Sequence, residues 1–205
     1  MTPEAESGFR EFLWLPDIAA DDEPTEVFRS MAIIAAWAFA QAKDAGAQHD
    51  EMLAPLRERT SLWMGLLLHL ATVDRHFYFL SRRMAARTLV RHNPPSQIYR
   101  QMAAALLTSD PPNTRRPKLA AHTAMVIGVA VGQQCGWRPT EADHKNRPMS
   151  QSGCGKMAEQ LAARGAGLQY GAVEKVWKAR NETLLTAGFL DTDISAFFTH
   201  ISPMK

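Results

Sequence analysis

Strict alternation of apolar and polar residues is almost absent from this chain, while apolar residues recur every three or four positions, the period of a helix. The segment "DEPTEVFRSMAIIAAWAFAQAKDAG" (22–46) has a proline near a helix start, acids in its first turn and Gly46 as a stop. Val27, Met31, Ile34, Ala35 and Ala38 form a stripe, and Ala32, Ile33, Ala36 and Trp37 extend it to other sides, which predicts a central buried helix. "TSLWMGLLLHLATVDRHFYFLSRRMAARTLVRHN" (60–93) reads as one long helix, apolar in its first half. Arg82, Arg83, Arg87 and Arg91 crowd its second half, where they complement the helix dipole.

Prolines bracket "NPPSQIYRQMAAALLTSDPP" (93–112), where Ser96 is a natural cap for a short helix. "DPPNTRRP" reads as a linker, and a helix of small residues follows over 118–134, ending near Gly136. Residues 136–152 offer no regular element. Two helices around a turn are expected over 155–181, and "DTDISAFFTHI" supplies a last one. The expected architecture is all-α: a helical bundle with a helical body and acidic leader over 1–134, a linker over 135–152, and a C-terminal unit with a final helix over 153–205.

The length of 205 residues, with 46% hydrophobic and 21% charged residues, suits a folded globular chain. Cys135 and Cys154 cannot build a disulfide framework, and the first residues are acidic rather than a charged-then-apolar leader, so a cytoplasmic protein is expected. The apolar runs are too short, or too diluted by His122, glycines and glutamines, to cross a bilayer, so no membrane is expected among its partners.

Charge is unevenly spread. Residues 1–30 carry eight acids and two bases, whereas 112–180 carry eleven bases and four acids. The basic segment suits a polyanion; the acidic one is either a solvated leader or a phosphate mimic for a basic surface.

"SGCGK" (152–156) looks like a phosphate-binding loop, but Ser150 stands where the first glycine belongs and Met157 where a magnesium-binding hydroxyl belongs. No buried strand leads into it, so the glycines read as a bend before a helix capped by Ser152. His69, His76 and Asp74 lack the partners of a helical metal site, and Cys135, His144 and Cys154 match no zinc spacing. Nucleophile elbow, HExxH and dinucleotide fingerprints are all missing, so neither an enzyme nor a cofactor is expected.

"EQLAARGAGLQYGAVEKVWK" (159–178) resembles the helix-turn-helix motif of DNA-binding proteins. Ala162 and Ala163 stand where that motif wants small residues at a helix crossing, Gly167 at its turn, and Leu168, Val173 and Val176 at its buried positions. Gly165 and Gly171 depart from the pattern. The resemblance implies that the second helix enters a DNA groove, with Gln169, Tyr170, Gly171, Glu174, Lys175 and Lys178 near bases or phosphates and Arg164 and Arg180 on the backbone. Trp177 is expected to pack inward. A sequence-specific, dimeric transcriptional regulator on double-stranded DNA is the reading that follows. The same helices also suit an ordinary helical hairpin in a non-enzymatic inhibitor or adaptor, whose basic face binds an acidic protein or a nucleoprotein complex.

Overall fold

The computed structural model describes residues 24–43, 70–90, 97–141 and 151–189, together with positions 67, 191, 194, 195 and 198. The acidic leader before residue 24, the stretch 60–66, His69, Ser96, His144 and Ser150 lie outside the described residues. The helices are α1 (Pro24–Ala42), α2 (Arg75–Leu89), α3 (Gln97–Thr108), α4 (Pro117–Gln134), α5 (Gly153–Ala163), α6 (Tyr170–Lys178) and α7 (Arg180–Thr186). No strand forms among the described residues; one isolated parallel bridge joins Arg138 and Ser152. The protein is all-α, and among the described residues no helix is long and apolar enough to cross a membrane.

Contacts group the chain into two compact units, Met1–Ile18 with Ala54–Arg116, and Ala19–Leu53 with Pro117–Lys205. These divide the chain differently from the expected 1–134, 135–152 and 153–205. The expected body is split because α1 packs along α4, and both also touch α5.

In the second unit α1 is the central helix that its all-round apolar character implies. Every residue from Met31 to Phe39 is buried. Side chains such as Met31 and Ile34 each contribute about 1.5–3 kcal/mol by leaving water. Its partner α4 is buried from Thr123 to Gly132 and is built of small and β-branched residues, so the two helices approach closely. A Cβ on Gly128 would overlap Met157 Cε and stand 2.9 Å from Met31 Cβ. After α4, Gly136 turns the chain with φ +79°, and Trp137 packs edge-on against Phe28 at 5.0 Å.

In the first unit α2 packs on α3. The single long helix expected over 60–93 does not form, because Asp74 interrupts it. Its carboxylate is buried and accepts three backbone N–H groups: His76 at 2.9 Å and Phe77 at 3.3 Å on Oδ1, and Arg116 at 2.8 Å on Oδ2. Aspartate competes for local amides in this way, and here it starts a new helix at Arg75. Tyr78 donates its hydroxyl proton toward the Leu106 carbonyl, 2.9 Å away, with the Ser109 carbonyl also in reach.

Candidate nucleic-acid interface

The opening of α5 decides what "SGCGK" is. Ser152 caps the helix, accepting the Gly155 N–H at 3.1 Å. The Gly153 N–H goes to the Arg138 carbonyl at 2.7 Å and the Cys154 N–H to the Pro139 carbonyl at 3.0 Å. The amides a nucleotide phosphate would need are therefore taken by the chain itself. Gly153 and Gly155 are buried, and a Cβ on Gly153 would press on Val129 at 3.3 Å. Gly153 permits close packing on α4. Cys154 is equally enclosed: burial, with Glu174 adding and Lys178 opposing, pushes its thiol up to about 12.

Downstream, α5 turns Cys154, Met157, Ala158 and Leu161 inward. On that register Ala162 and Ala163 fall on the outer side, and both are exposed. The expectation that they line a helix crossing is corrected. The helix stops at Ala163 because Gly165 adopts φ +74° and closes a Schellman motif. The Ala166 N–H bonds the Leu161 carbonyl at 2.9 Å and the Gly165 N–H bonds the Ala162 carbonyl at 3.0 Å, with Leu161 and Ala166 buried together. Gly167 takes φ +62°, as a turn glycine should, but the connection spans residues 164–169.

The next helix, α6, is anchored by Val173 and Trp177, with Val176 and Leu168 half-buried. Trp177 faces inward as its spacing predicts, and its ring meets Phe198 edge-on at 5.7 Å. The opposite side presents Gly171, Ala172, Lys175 and Lys178, all exposed, and the N-cap residue Gln169 is exposed at the helix start. Helices α4, α5 and α6 each pack against the other two, so α6 rests on α4 and α5.

Compared with protein-family models, curated proteins and solved structures, the chain matches none.

The candidate residues divide into outward groups and groups already held. Gln169 and Lys175 are exposed, and Lys175 has no ion pair among the described residues. Lys178 is exposed and pairs with half-buried Glu174 at 3.1 Å, a surface pair that gives way readily to a stronger anion. Tyr170 is half-buried and its hydroxyl accepts the Glu141 N–H at 3.1 Å, tying the 137–141 segment to α6. Arg164 bonds Gln160 through its side-chain oxygen at 2.6 Å and its carbonyl at 3.0 Å. Burial first, and then the neighbouring Arg29 charge, lower its pKa from the usual guanidinium value.

Arg180 sits over two rings, 5.0 Å from Trp177 and 5.3 Å from Phe198, in a cation–π clamp that joins α6 to the residues after α7. Position i+3 after Trp177 foreshadows half of that clamp, whereas Phe198 and Glu141 are non-local partners with no signal at helical spacing. Among the described residues no group of three or more His, Cys, Asp or Glu side chains is placed to hold a metal.

Proposed function

We propose that this protein binds double-stranded DNA through the outward side of α6 and acts as a dimeric regulator by occupying its site. The observation that carries this reading is the segregation on α6 itself. Val173 and Trp177 anchor one side, while Lys175 and Lys178 stand on the other beside Gly171 and Ala172, whose small size lets the helix approach a groove wall, and Gln169 is exposed at the N-cap. On this reading Gln169 meets an adenine edge near the helix start, with Lys175 and Lys178 on phosphate or guanine. Tyr170, Glu174, Arg164 and Arg180 serve as supports that hold the helix and its turn. One helix of nine residues reads few base pairs, so two copies are needed for useful specificity. A reducing cytoplasm suits the two free thiols, Cys135 and Cys154.

Changing Lys178 to Ala weakens binding to every duplex and lowers the slope of log affinity against log salt by about 0.9 if one phosphate contact is lost. Changing Gln169 to Ala relaxes preference at one base pair by about 1–3 kcal/mol with the slope intact. Duplex affinity no better than about 10⁻⁴–10⁻⁶ M near physiological salt, for all sequences in a randomised pool, removes the regulator reading. A second reading, an adaptor for an acidic protein, is favoured by one observation: Arg164 and Arg180, the side chains expected on the DNA backbone, already have partners within the fold. It requires loss of a protein complex when Lys175 and Lys178 are both changed to Glu.

A further inference from the structure

We propose that the outer face of α2 is a separate, sequence-independent surface for the phosphate backbone of duplex DNA. The inference stands independently of the α6 reading, since it concerns the other compact unit.

Across its fifteen residues α2 carries Arg75, Arg82, Arg83 and Arg87 and no acid. Its rotation is set by the buried side: Phe77, Tyr78, Leu80, Ser81, Met84 and Ala85 face inward, and the Ser81 hydroxyl bonds the Leu67 carbonyl at 2.8 Å. That leaves Arg75, Arg83 and Arg87 exposed and Arg82 on the flank. The Asp74 cap brings two more guanidinium side chains to the same end. Besides the Arg116 N–H on Asp74, the Arg75 N–H bonds the Thr114 carbonyl at 3.2 Å and the Thr114 hydroxyl bonds the Val73 carbonyl at 3.1 Å. Arg115 and Arg116, both exposed, are thereby stitched beside the start of α2.

Among the described residues of the unit these charges are not neutralised. Among the described residues none of the six arginines forms an ion pair. Asp74 is buried with its oxygens committed to amides, which leaves Asp110 as the other acid among the described residues of the unit. Nor does helix stability account for the arrangement. Arg87 complements the C-terminal end, but Arg75, Arg115 and Arg116 gather at the positive end of the helix dipole, where cations are unfavourable. A polyanion lying along the helix offsets both penalties.

The geometry favours a duplex. Arg75 to Arg87 spans about 18 Å at 1.5 Å per residue, the length of about five base-pair steps at 3.4 Å each. Single-strand binders need bare aromatic platforms. Here Phe79 is 42% exposed, but the Arg75 guanidinium covers its ring at 5.7 Å and Tyr78 abuts it at 5.5 Å. A membrane-surface helix turns its apolar side to lipid, whereas α2 turns that side to its own core, and the exposed Leu89 and Val90 lie beyond the arginines.

The test uses the full chain and a labelled random duplex of about 20 base pairs, titrated between about 50 and 200 mM salt. Changing Arg83 and Arg87 together to Gln is expected to weaken binding to every sequence about tenfold or more and to lower the salt slope by about two, while Arg83→Lys with Arg87→Lys keeps the slope. Far-UV circular dichroism checks that both variants stay folded; the changed side chains are exposed. Unchanged affinity and slope in the Gln variant overturn the proposal. So does tighter Arg83- and Arg87-dependent binding to phosphatidylserine vesicles, or to single strands, than to duplex. Lys175→Gln with Lys178→Gln separates the two surfaces. Loss only in that variant removes the α2 surface and keeps α6, and loss only in the arginine variant does the reverse.

Discussion

Replacing Gly128 by alanine sets two effects of opposite sign against each other. Gly128 lies inside α4, where alanine improves helix propensity by about 1 kcal/mol. Against that, the new Cβ overlaps Met157 Cε and sits 2.9 Å from Met31 Cβ and 3.6 Å from Met31 Cγ. The Met157 methyl is the end of a flexible side chain and rotates away where space allows. Met157 is fully buried, however, and so nearly is Met31, so little space is present. Met31 Cβ is fixed to the backbone of α1 and moves only if that helix shifts. Overpacking of this kind costs about 1–3 kcal/mol, and the rigid contact with Met31 Cβ, together with a Met157 methyl that has little space to move into, places the site in the upper half of that range. The net expectation is a destabilisation of about 1–2 kcal/mol. For a chain of this size that lowers Tm by about 2–8 °C.

Urea unfolding followed by far-UV circular dichroism measures the change, and a cycle with Met157→Ala locates it. Alone, Met157→Ala leaves a cavity worth about 2–5 kcal/mol. Combined with Gly128→Ala, the new methyl occupies part of that space and the clash is gone, so the double variant is less destabilised than the sum by at least about 0.5 kcal/mol. A Gly128→Ala protein as stable as the parent, or more so, means that propensity wins and that α1, α4 and α5 are not in contact at this point. Strict additivity in the cycle refutes the same reasoning.

Other substitutions probe the α5–α6 hairpin. Ala163 is exposed, so Ala163→Leu changes stability by no more than about 0.5 kcal/mol in thermal unfolding; a large loss restores the helix-crossing arrangement. Val173 is fully buried, and Val173→Asp leaves an unpaired charge in the core at about 3–5 kcal/mol; an unchanged midpoint means that α6 is rotated differently. The Cys154 thiol, raised from 9.0 to about 12 by burial, ionises in the unfolded chain well before it does in the folded one. Its contribution to stability is full below pH 9.0 and declines as pH rises toward 12, by at most about 1.4 kcal/mol per pH unit. Denaturant midpoints over that range should show Cys154→Ala flattening the alkaline decline, and an identical decline in both proteins assigns it to other groups.

The helices that were legible in the sequence are those whose faces are decided by their own residues. The run of apolar positions around α1 leaves no polar side, and the small residues of α4 have little to offer but close packing, so both helices are central. Breaks and ends were harder because they depend on partners far along the chain. Asp74 looks like one polar residue in an apolar helix until Arg116, forty-two positions later, supplies its third amide. In the hairpin either Gly165 or Gly167 can adopt positive φ, and both do. The stop falls at the first because the Schellman closure buries Ala166 against Leu161, which moves the end of α5 and turns Ala162 and Ala163 outward.

The same distinction governs the two basic surfaces. Spacing alone puts Lys175 and Lys178 opposite Val173 and Trp177, so the outward side of α6 was readable. Which of its neighbours were free was not, since Tyr170 and Arg180 are held by Glu141 and Phe198. On α2 the difficulty was averaging. Residues 31–111 carry nine bases and six acids, a balance with little apparent meaning. One of those acids, Asp74, is spent on backbone amides. Arg75, Arg83 and Arg87 share one exposed helical side, to which the fold adds Arg115 and Arg116 from the linker. A polyanion responds to the charges within a Debye length of where it lies, about 8 Å at physiological salt, and not to a sum along the chain. Counted by helix face, the charge on α2 is a stronger electrostatic feature than the segment total that first pointed to residues 112–180.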